Sequence, residues 1–291
     1  MTGSPTNLPI HHFRSRDGLE LAYREMGTGR PLILIHGYFS TAMVNWVRYG
    51  HAAKIAARGY RVVMPDLRGH GDSAKPHDPS FYPRDVLADD GLALVEHLEL
   101  TDYDLGGYSL GARTTVRMLA TEAQRRESHE APTARRGATE AQRRESHEAP
   151  QARRGTRGAT AKRAIVAGMG LEGILHTGGR GGHFRNILTN LGKHKPGSAE
   201  WLAEAFMKTV GGDPIALLHV LNTFEDTSRE ALARIEIPTL VLTGAEDDDN
   251  GSAEALAAAL PKGHYVVVPG NHMSAVTKPD LGAAMADFLA A

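Results

Sequence analysis

Six short apolar runs recur along the chain, at Leu32–Ile35, Val62–Met64, Tyr103–Leu105, Ala164–Ala167, Leu240–Leu242 and Tyr265–Val268, each soon followed by Gly, Pro, Asn or Asp. Continuous apolar runs of this length, without alternation, suit strands covered on both faces of a parallel sheet. Helical patterns lie between them at Val44–Arg58, Pro83–Leu98, Leu110–Leu119 and Ser252–Leu260. Pro83 and Ser252 fit helix starts and Gly59 a helix stop. Ahead of these, His11–Arg14 and Leu19–Arg24 flank Asp17-Gly18 and read as a hairpin. The sum is an α/β fold with a mostly parallel sheet flanked by helices.

Two segments break the rhythm. Residues 171–229 open on a Gly-rich stretch and give helical patterns around His183–Leu191, Ala199–Val210 and Pro214–Asn222 with no strand between. They are expected to form a small all-helical cap on a core built from residues 1–170 and 230–291. Residues 120–137 (ATEAQRRESHEAPTARRG) recur at 138–155 with one difference, Thr133 against Gln151. Two copies are too few and too polar to build a repeat architecture. The segment 120–155 therefore reads as a duplicated surface insertion within the core, and its helix propensity alone leaves a short helix marginal.

Composition excludes several classes. With 33 Lys and Arg against 34 Asp and Glu, nothing points to a nucleic-acid or anionic-membrane partner. The absence of cysteine rules out disulfides, thiolate metal sites and a cysteine nucleophile. No apolar run reaches the roughly 18 residues of a membrane span. Met1–Ile10 is polar and contains proline, unlike a secretory leader, so the expected location is cytoplasmic. The expected partner is a small molecule, and oligomeric state is not legible.

Gly107-Tyr108-Ser109-Leu110-Gly111 follows one apolar run and opens a helical pattern. That is the context of a nucleophile elbow, in which a sharp strand-to-helix turn lifts the serine hydroxyl off the sheet and glycines two residues away avoid clashes. His36-Gly37-Tyr38 follows an earlier run, and such a turn aims the next amide at the serine. The backbone N–H groups of Tyr38 and Leu110 then form an oxyanion hole, while the His36 side chain reads as structural. A serine nucleophile needs a base. His272 stands in Pro269-Gly270-Asn271-His272, immediately after the last run. The base needs an orienting acid. Asp247 is the choice within Glu246-Asp247-Asp248-Asp249, with Asp249 and Asp248 as alternatives and Glu246 the least suited. Phe39, Tyr108, Met169, Phe184, Trp201 and Phe206 are candidates for an apolar pocket, although the cap aromatics and Leu217 equally suit packing three small helices onto the sheet.

The order Ser109, Asp247, His272 is that of sheet-based hydrolases. With Asp66-Leu67-Arg68-Gly69-His70-Gly71-Asp72-Ser73 after another strand, the chain resembles the α/β-hydrolase fold superfamily over nearly its whole length apart from the duplicated segment. The resemblance implies an acyl-enzyme on Ser109 and hydrolysis of a small, fairly apolar carboxylic ester, thioester or lactone without a cofactor. Serine at position 109 disfavours epoxide hydrolysis and dehalogenation, whose enzymes use aspartate there. Carbon–carbon bond hydrolysis and haloperoxidase-like perhydrolysis stay open, as does a non-catalytic ligand-binding protein on the same scaffold. Gly168-Met169-Gly170-Leu171-Glu172-Gly173 matches a dinucleotide fingerprint, but a poor helix follows it and no acid stands about 20 residues on, so it is read as a turn out of the sheet. No spacing points to a metal site.

Overall fold

The computed structural model describes residues 8–130 and 159–291. The hairpin strands β1 (His11–Arg14) and β2 (Glu20–Met26) precede β3 (Arg30–Ile35), β4 (Tyr60–Pro65), β5 (Asp102–Tyr108), β6 (Thr160–Ala167), β7 (Thr239–Gly244) and β8 (Gly263–Val268). They form one eight-stranded sheet in the order β1-β2-β4-β3-β5-β6-β7-β8. β1, β2 and β4 pair antiparallel and every other neighbour is parallel. All six apolar runs are therefore strands, and β3 and β5 to β8 end at the same edge of the sheet.

Alternate residues serve two cores. Ile33, Ile35, Leu105 and Val166 pack with α2 (Val86–His97), α3 (Leu110–Glu130) and α9 (Ala253–Ala259). Leu32, Leu34, Val62, Met64, Ile165 and Leu240 face the opposite way, onto Trp46, α1 (His51–Ala56) and α10 (Pro279–Ala290). Each such side chain, taken fully out of water, contributes about 1.5–3 kcal/mol. β8 departs from the expectation of two covered faces: as an edge strand it leaves Tyr265 and Val267 exposed.

Helix boundaries differ where backbone geometry overrides the pattern. Val44–Arg58 is not one helix, because Gly50 at φ +77° separates a turn of π-helix at Met43–Val47 from α1. Pro83 does not start α2; Asp85 precedes it in the left-handed region, at φ +63°, with its carboxylate gripped by Arg117. Between β6 and β7 run α4 (Leu171–Leu175), α5 (Gly181–Thr189), α6 (Ala199–Thr209), α7 (Pro214–Val220) and α8 (Arg229–Ala233), with no strand among them. Ser198 caps α6 and Asp213 caps α7. Phe39, Ile187, Leu188, Met207, Leu217 and Leu221 form a third small core under these helices. None of the described helices is long and apolar enough to cross a membrane.

The duplicated segment begins inside α3, which corrects the reading of 120–155 as an excursion from its first residue. Ala120 and Ala123 are buried, and Glu122 accepts hydrogen bonds from the Tyr103 hydroxyl and from the Ala161 amide at 3.2 Å. Small side chains suffice for packing where the neighbouring strand comes close. The remaining repeat residues, 131–155, lie outside the described residues, as do residues 1–7. Because the copies are near-identical, deleting 120–137 brings an identical ATEAQRRESHEAP into register behind Leu119. That deletion is expected to leave urea stability essentially unchanged. Glu122→Ala strands two buried donors and is expected to cost about 1–3 kcal/mol in the same titration.

Candidate active site

Ser109 joins β5 to α3 with φ +54°, in the left-handed region that non-glycine residues seldom enter. The amide of Ser109 donates to the Ala167 carbonyl at 2.8 Å, and its carbonyl accepts from Arg113 N at 3.0 Å. The flanking glycines are required by contact. A Cβ on Gly107 would strike the Gly111 backbone, and one on Gly111 would strike the Ile35 carbonyl. The hydroxyl is thereby lifted from the sheet edge at the start of a helix.

His272 and Asp247 come to it from separate strand ends. His272 Nε2 lies 3.0 Å from Ser109 Oγ, and His272 Nδ1 lies 3.1 and 3.0 Å from the two Asp247 carboxylate oxygens. The Asp247 side chain is 2% exposed. Of the alternatives, Asp249 is taken by Arg180 at 2.8 Å, and neither Asp248 nor Glu246 reaches the imidazole. Tyr108, expected in the pocket, instead holds the base: its hydroxyl donates to the His272 carbonyl at 2.6 Å and its ring lies 5.5 Å from the imidazole. Burial, with the charges of Asp247 and Asp249, pushes its phenol well above the ordinary range. This chain of contacts can take a proton from the Ser109 hydroxyl onto Nε2 while the carboxylate holds Nδ1–H.

The turn after β3 abuts the same serine. A Cβ on Gly37 would lie 3.5 Å from Ser109 Cβ, and the Gly37 amide is anchored to Asn45 Oδ1 at 2.9 Å. Neither Tyr38 N–H nor Leu110 N–H has a partner among the described residues, so both donors stay available. His36 is structural: Nε2 accepts from Leu67 N at 3.0 Å and Nδ1 bonds the Gly37 carbonyl at 2.8 Å. The loop after β4 supports that turn. The Asp66 carboxylate accepts from the amides of Ala42 and Asp72 and from Arg24. Arg68 forks onto Asp90 at 2.8 Å twice. His70 is buried against His36 and Tyr38. Burial, with the nearby charges of His36 and Lys75, depresses its pKa to about 3.

A narrow cleft, partly open to solvent, lies over Ser109. Tyr38, Leu110, Met169, Phe184 and Phe224 supply its apolar wall, and Arg113, Thr177, Arg180 and Asn250 its polar one. Of the pocket candidates, Met169 and Phe184 line it. Phe39 and Phe206 pack in the core under the cap instead, and Trp201 is 41% exposed on α6. Arg113 was missed by sequence reading, although it stands four residues after Ser109 and so on the same helical face. Phe224, Thr177 and Asn250 carried no sequence signal.

The Gly168–Gly173 motif is a packing device. A Cβ on Gly168 would lie 2.8 Å from the Tyr108 ring, and one on Gly170 would meet the Gly251 carbonyl. The Leu171 and Gly173 amides are already spent on the Ser252 and Asn250 carbonyls, each at 3.0 Å. Ligand atoms of Asp247, Asp249 and His272 lie within 4.8 Å of one another. That grouping follows from the imidazole–carboxylate pair, and Asp249 is committed to Arg180.

A model of the alpha/beta hydrolase family matches residues 32–284. Among curated proteins, an AB hydrolase superfamily protein, YisY, of Bacillus subtilis (strain 168) is 31% identical over 111 residues, 38% of this chain and 39% of that protein. A non-heme haloperoxidase of Rhodococcus erythropolis is 36% identical over 107 residues, 36% of each chain. The aligned stretches thus span well under half of these relatives. Among solved structures, a hydrolase from Pseudomonas aeruginosa PA01 superposes with a TM-score of 0.66 at 25% identity, covering 97% of this chain and 98% of its own.

The depressed His70 pKa generates a stability prediction. An unfolded histidine titrates near 6.5, whereas His70 in the fold does so near 3. Between those values the unfolded state holds an extra proton, so stability present above about pH 6.5 is lost as pH falls. His70→Asn cannot take that proton. Between about pH 6.5 and about pH 5, the parent is expected to lose roughly 2 kcal/mol more than the variant in urea titrations. Equal losses would contradict the burial argument.

Proposed function

The chain belongs to the alpha/beta hydrolase family, and from that premise we propose that it is a serine hydrolase cleaving a small, fairly apolar carboxylic ester, thioester or lactone through an acyl-enzyme on Ser109. The observation that carries this reading is the unbroken Ser109–His272–Asp247 contact chain at 3.0–3.1 Å, beside two unspent amides. His272 removes the Ser109 proton as Oγ attacks the carbonyl carbon. The Tyr38 and Leu110 amides hold the oxyanion, each such donor being worth roughly 3–4 kcal/mol of barrier in hydrolases of this kind. His272 then protonates the leaving group, and water repeats the sequence on the ester of Ser109. Asp247 keeps the imidazole in the tautomer that presents a bare Nε2 and stabilises the imidazolium. Tyr108 fixes the ring through the His272 carbonyl.

Nitrophenyl esters from acetate to octanoate test the reading. The parent is expected to hydrolyse the shorter members and to be labelled at Ser109 by a fluorophosphonate. Ser109→Ala is expected to abolish both, and Asp247→Asn to lower kcat by on the order of 10⁴. Tyr108→Phe loses one hydrogen bond and is expected to lower kcat roughly 2- to 10-fold with little change in KM. No hydrolysis and no labelling across the series would favour a ligand-binding protein.

Perhydrolysis is a second reading, favoured by the stretch shared with the Rhodococcus haloperoxidase. Acetate with hydrogen peroxide and bromide would then brominate an indicator dye in a Ser109-dependent manner.

A further inference from the structure

One buried cation has no part in acyl transfer. Arg113 follows Ser109 by four residues, about 6 Å along the axis of α3, and lines the cleft. The residue is only 9% exposed, yet its side chain makes no hydrogen bond or ion pair with any described group, and its Nε is buried without a partner. Its contact is the Phe224 ring, 4.7 Å from the guanidinium carbon. Three other buried or half-buried arginines are paired: Arg68 with Asp90, Arg30 with Asp104 and Arg117 with Asp85. Asp226, whose charge acts on Arg113, turns Oδ1 to the Thr177 amide and hydroxyl at 2.8 and 2.7 Å and makes no ion pair with the guanidinium. Burial draws the Arg113 pKa down to about 10, with Asp226 opposing and Arg180 assisting, so the group stays charged near neutrality.

An unpaired buried cation is costly, and a ligand anion removes that cost. The rest of the cleft narrows which anion. No acid lines it, and Arg180 is already paired with Asp249. The Thr177 hydroxyl and the Asn250 amide are spent on Asp226 and the Gly168 carbonyl. One guanidinium fork among Leu110, Met169, Phe184 and Phe224 matches one carboxylate on a short hydrocarbon, held through two parallel hydrogen bonds. Inorganic phosphate has no hydrocarbon to bury against Leu110, Met169, Phe184 and Phe224.

We infer that Arg113 is a specificity-determining anion site, and that the preferred substrate carries a carboxylate a few carbons from the scissile carbonyl, as in a half-ester of a short dicarboxylic acid. This rests on Ser109 as the acyl acceptor, and the experiment separates the two. Mono-nitrophenyl glutarate is compared with nitrophenyl pentanoate, its uncharged counterpart, by the ratio of kcat/KM. The parent is expected to favour the glutarate ester. Arg113→Gln is expected to lower that ratio roughly 10- to 100-fold, chiefly through KM of the glutarate ester, with partial recovery in Arg113→Lys. A parent that favours the pentanoate ester, or a ratio unmoved in Arg113→Gln, overturns the inference. Glutarate is also expected to compete with the pentanoate ester in the parent while inorganic phosphate does not, which needs no variant. Stronger competition by phosphate overturns the carboxylate assignment. If neither ester is turned over, the acyl-transfer reading fails by itself, and calorimetric binding of glutarate to the parent then decides the anion site: binding lost in Arg113→Gln supports it, and no binding to the parent overturns it.

Discussion

The bend at Ser109 is the constraint on which the rest of the site depends. A side chain in the left-handed region costs roughly 1–2 kcal/mol, so the bend persists only because its surroundings over-determine it. Those surroundings are specific. The Ser109 amide is tied to β6 through Ala167, its carbonyl opens the hydrogen-bond ladder of α3, and two glycines let the helix start press against the Ile35 carbonyl. The same close approach brings the Gly37 turn against Ser109 Cβ. One backbone conformation therefore fixes the hydroxyl and leaves the Leu110 amide without a partner among the described residues.

The partners of Ser109 are positioned independently of it. The parallel strands end at one edge of the sheet, so the loops after β7 and β8 deliver Asp247 and His272 to the serine. Each loop has its own anchors. The Asp247 amide donates to the Gly244 carbonyl, and Asn271 Oδ1 accepts from the Met273 and Ser274 amides beside His272. Tyr108 joins the two halves, since its ring closes over Gly168 and its hydroxyl reaches the His272 carbonyl. The loop after β4 supports the opposite side. Its charges look catalytic, yet Asp66 and Arg68 are turned inward and paired, with Arg24 and with Asp90 of α2.

This division explains what the sequence disclosed. The strands and the Ser109, Asp247 and His272 positions were legible because each leaves a local mark: an apolar run, a glycine pair, a loop following a strand. What failed depends on through-space neighbours. A single glycine conformation at Gly50 cuts a continuous helical pattern. Alanine and glutamate at 120–123 look like surface until Tyr103 and the Ala161 amide stand beside them. The cap aromatics divide by the direction in which each helix presents them: Phe184 reaches the cleft, Phe206 the small core, and Trp201 is largely exposed. Aromatic content does not tell which face of these helices looks onto the cleft.

The helices between β6 and β7 are tied to the rest of the fold by contacts of unequal kind. The Tyr38 hydroxyl donates to the Leu217 carbonyl at 2.7 Å, and its ring packs on Phe39 and Phe184, so the residue after the Gly37 turn also carries α7 and α5. Arg180 reaches Asp249, two residues beyond Asp247, but that pair is part exposed and contributes little stability, since such bridges typically yield less than about 1 kcal/mol. The Tyr38 contacts, a hydrogen bond and two ring contacts, hold these helices over the sheet edge, and the ion pair adds little to them. A cleft whose roof is fixed by Tyr38 and whose far wall is fixed by Phe224 can change what it accepts through few side chains. Arg113 is one of them because it projects from α3 itself, the helix whose start defines the position of the serine.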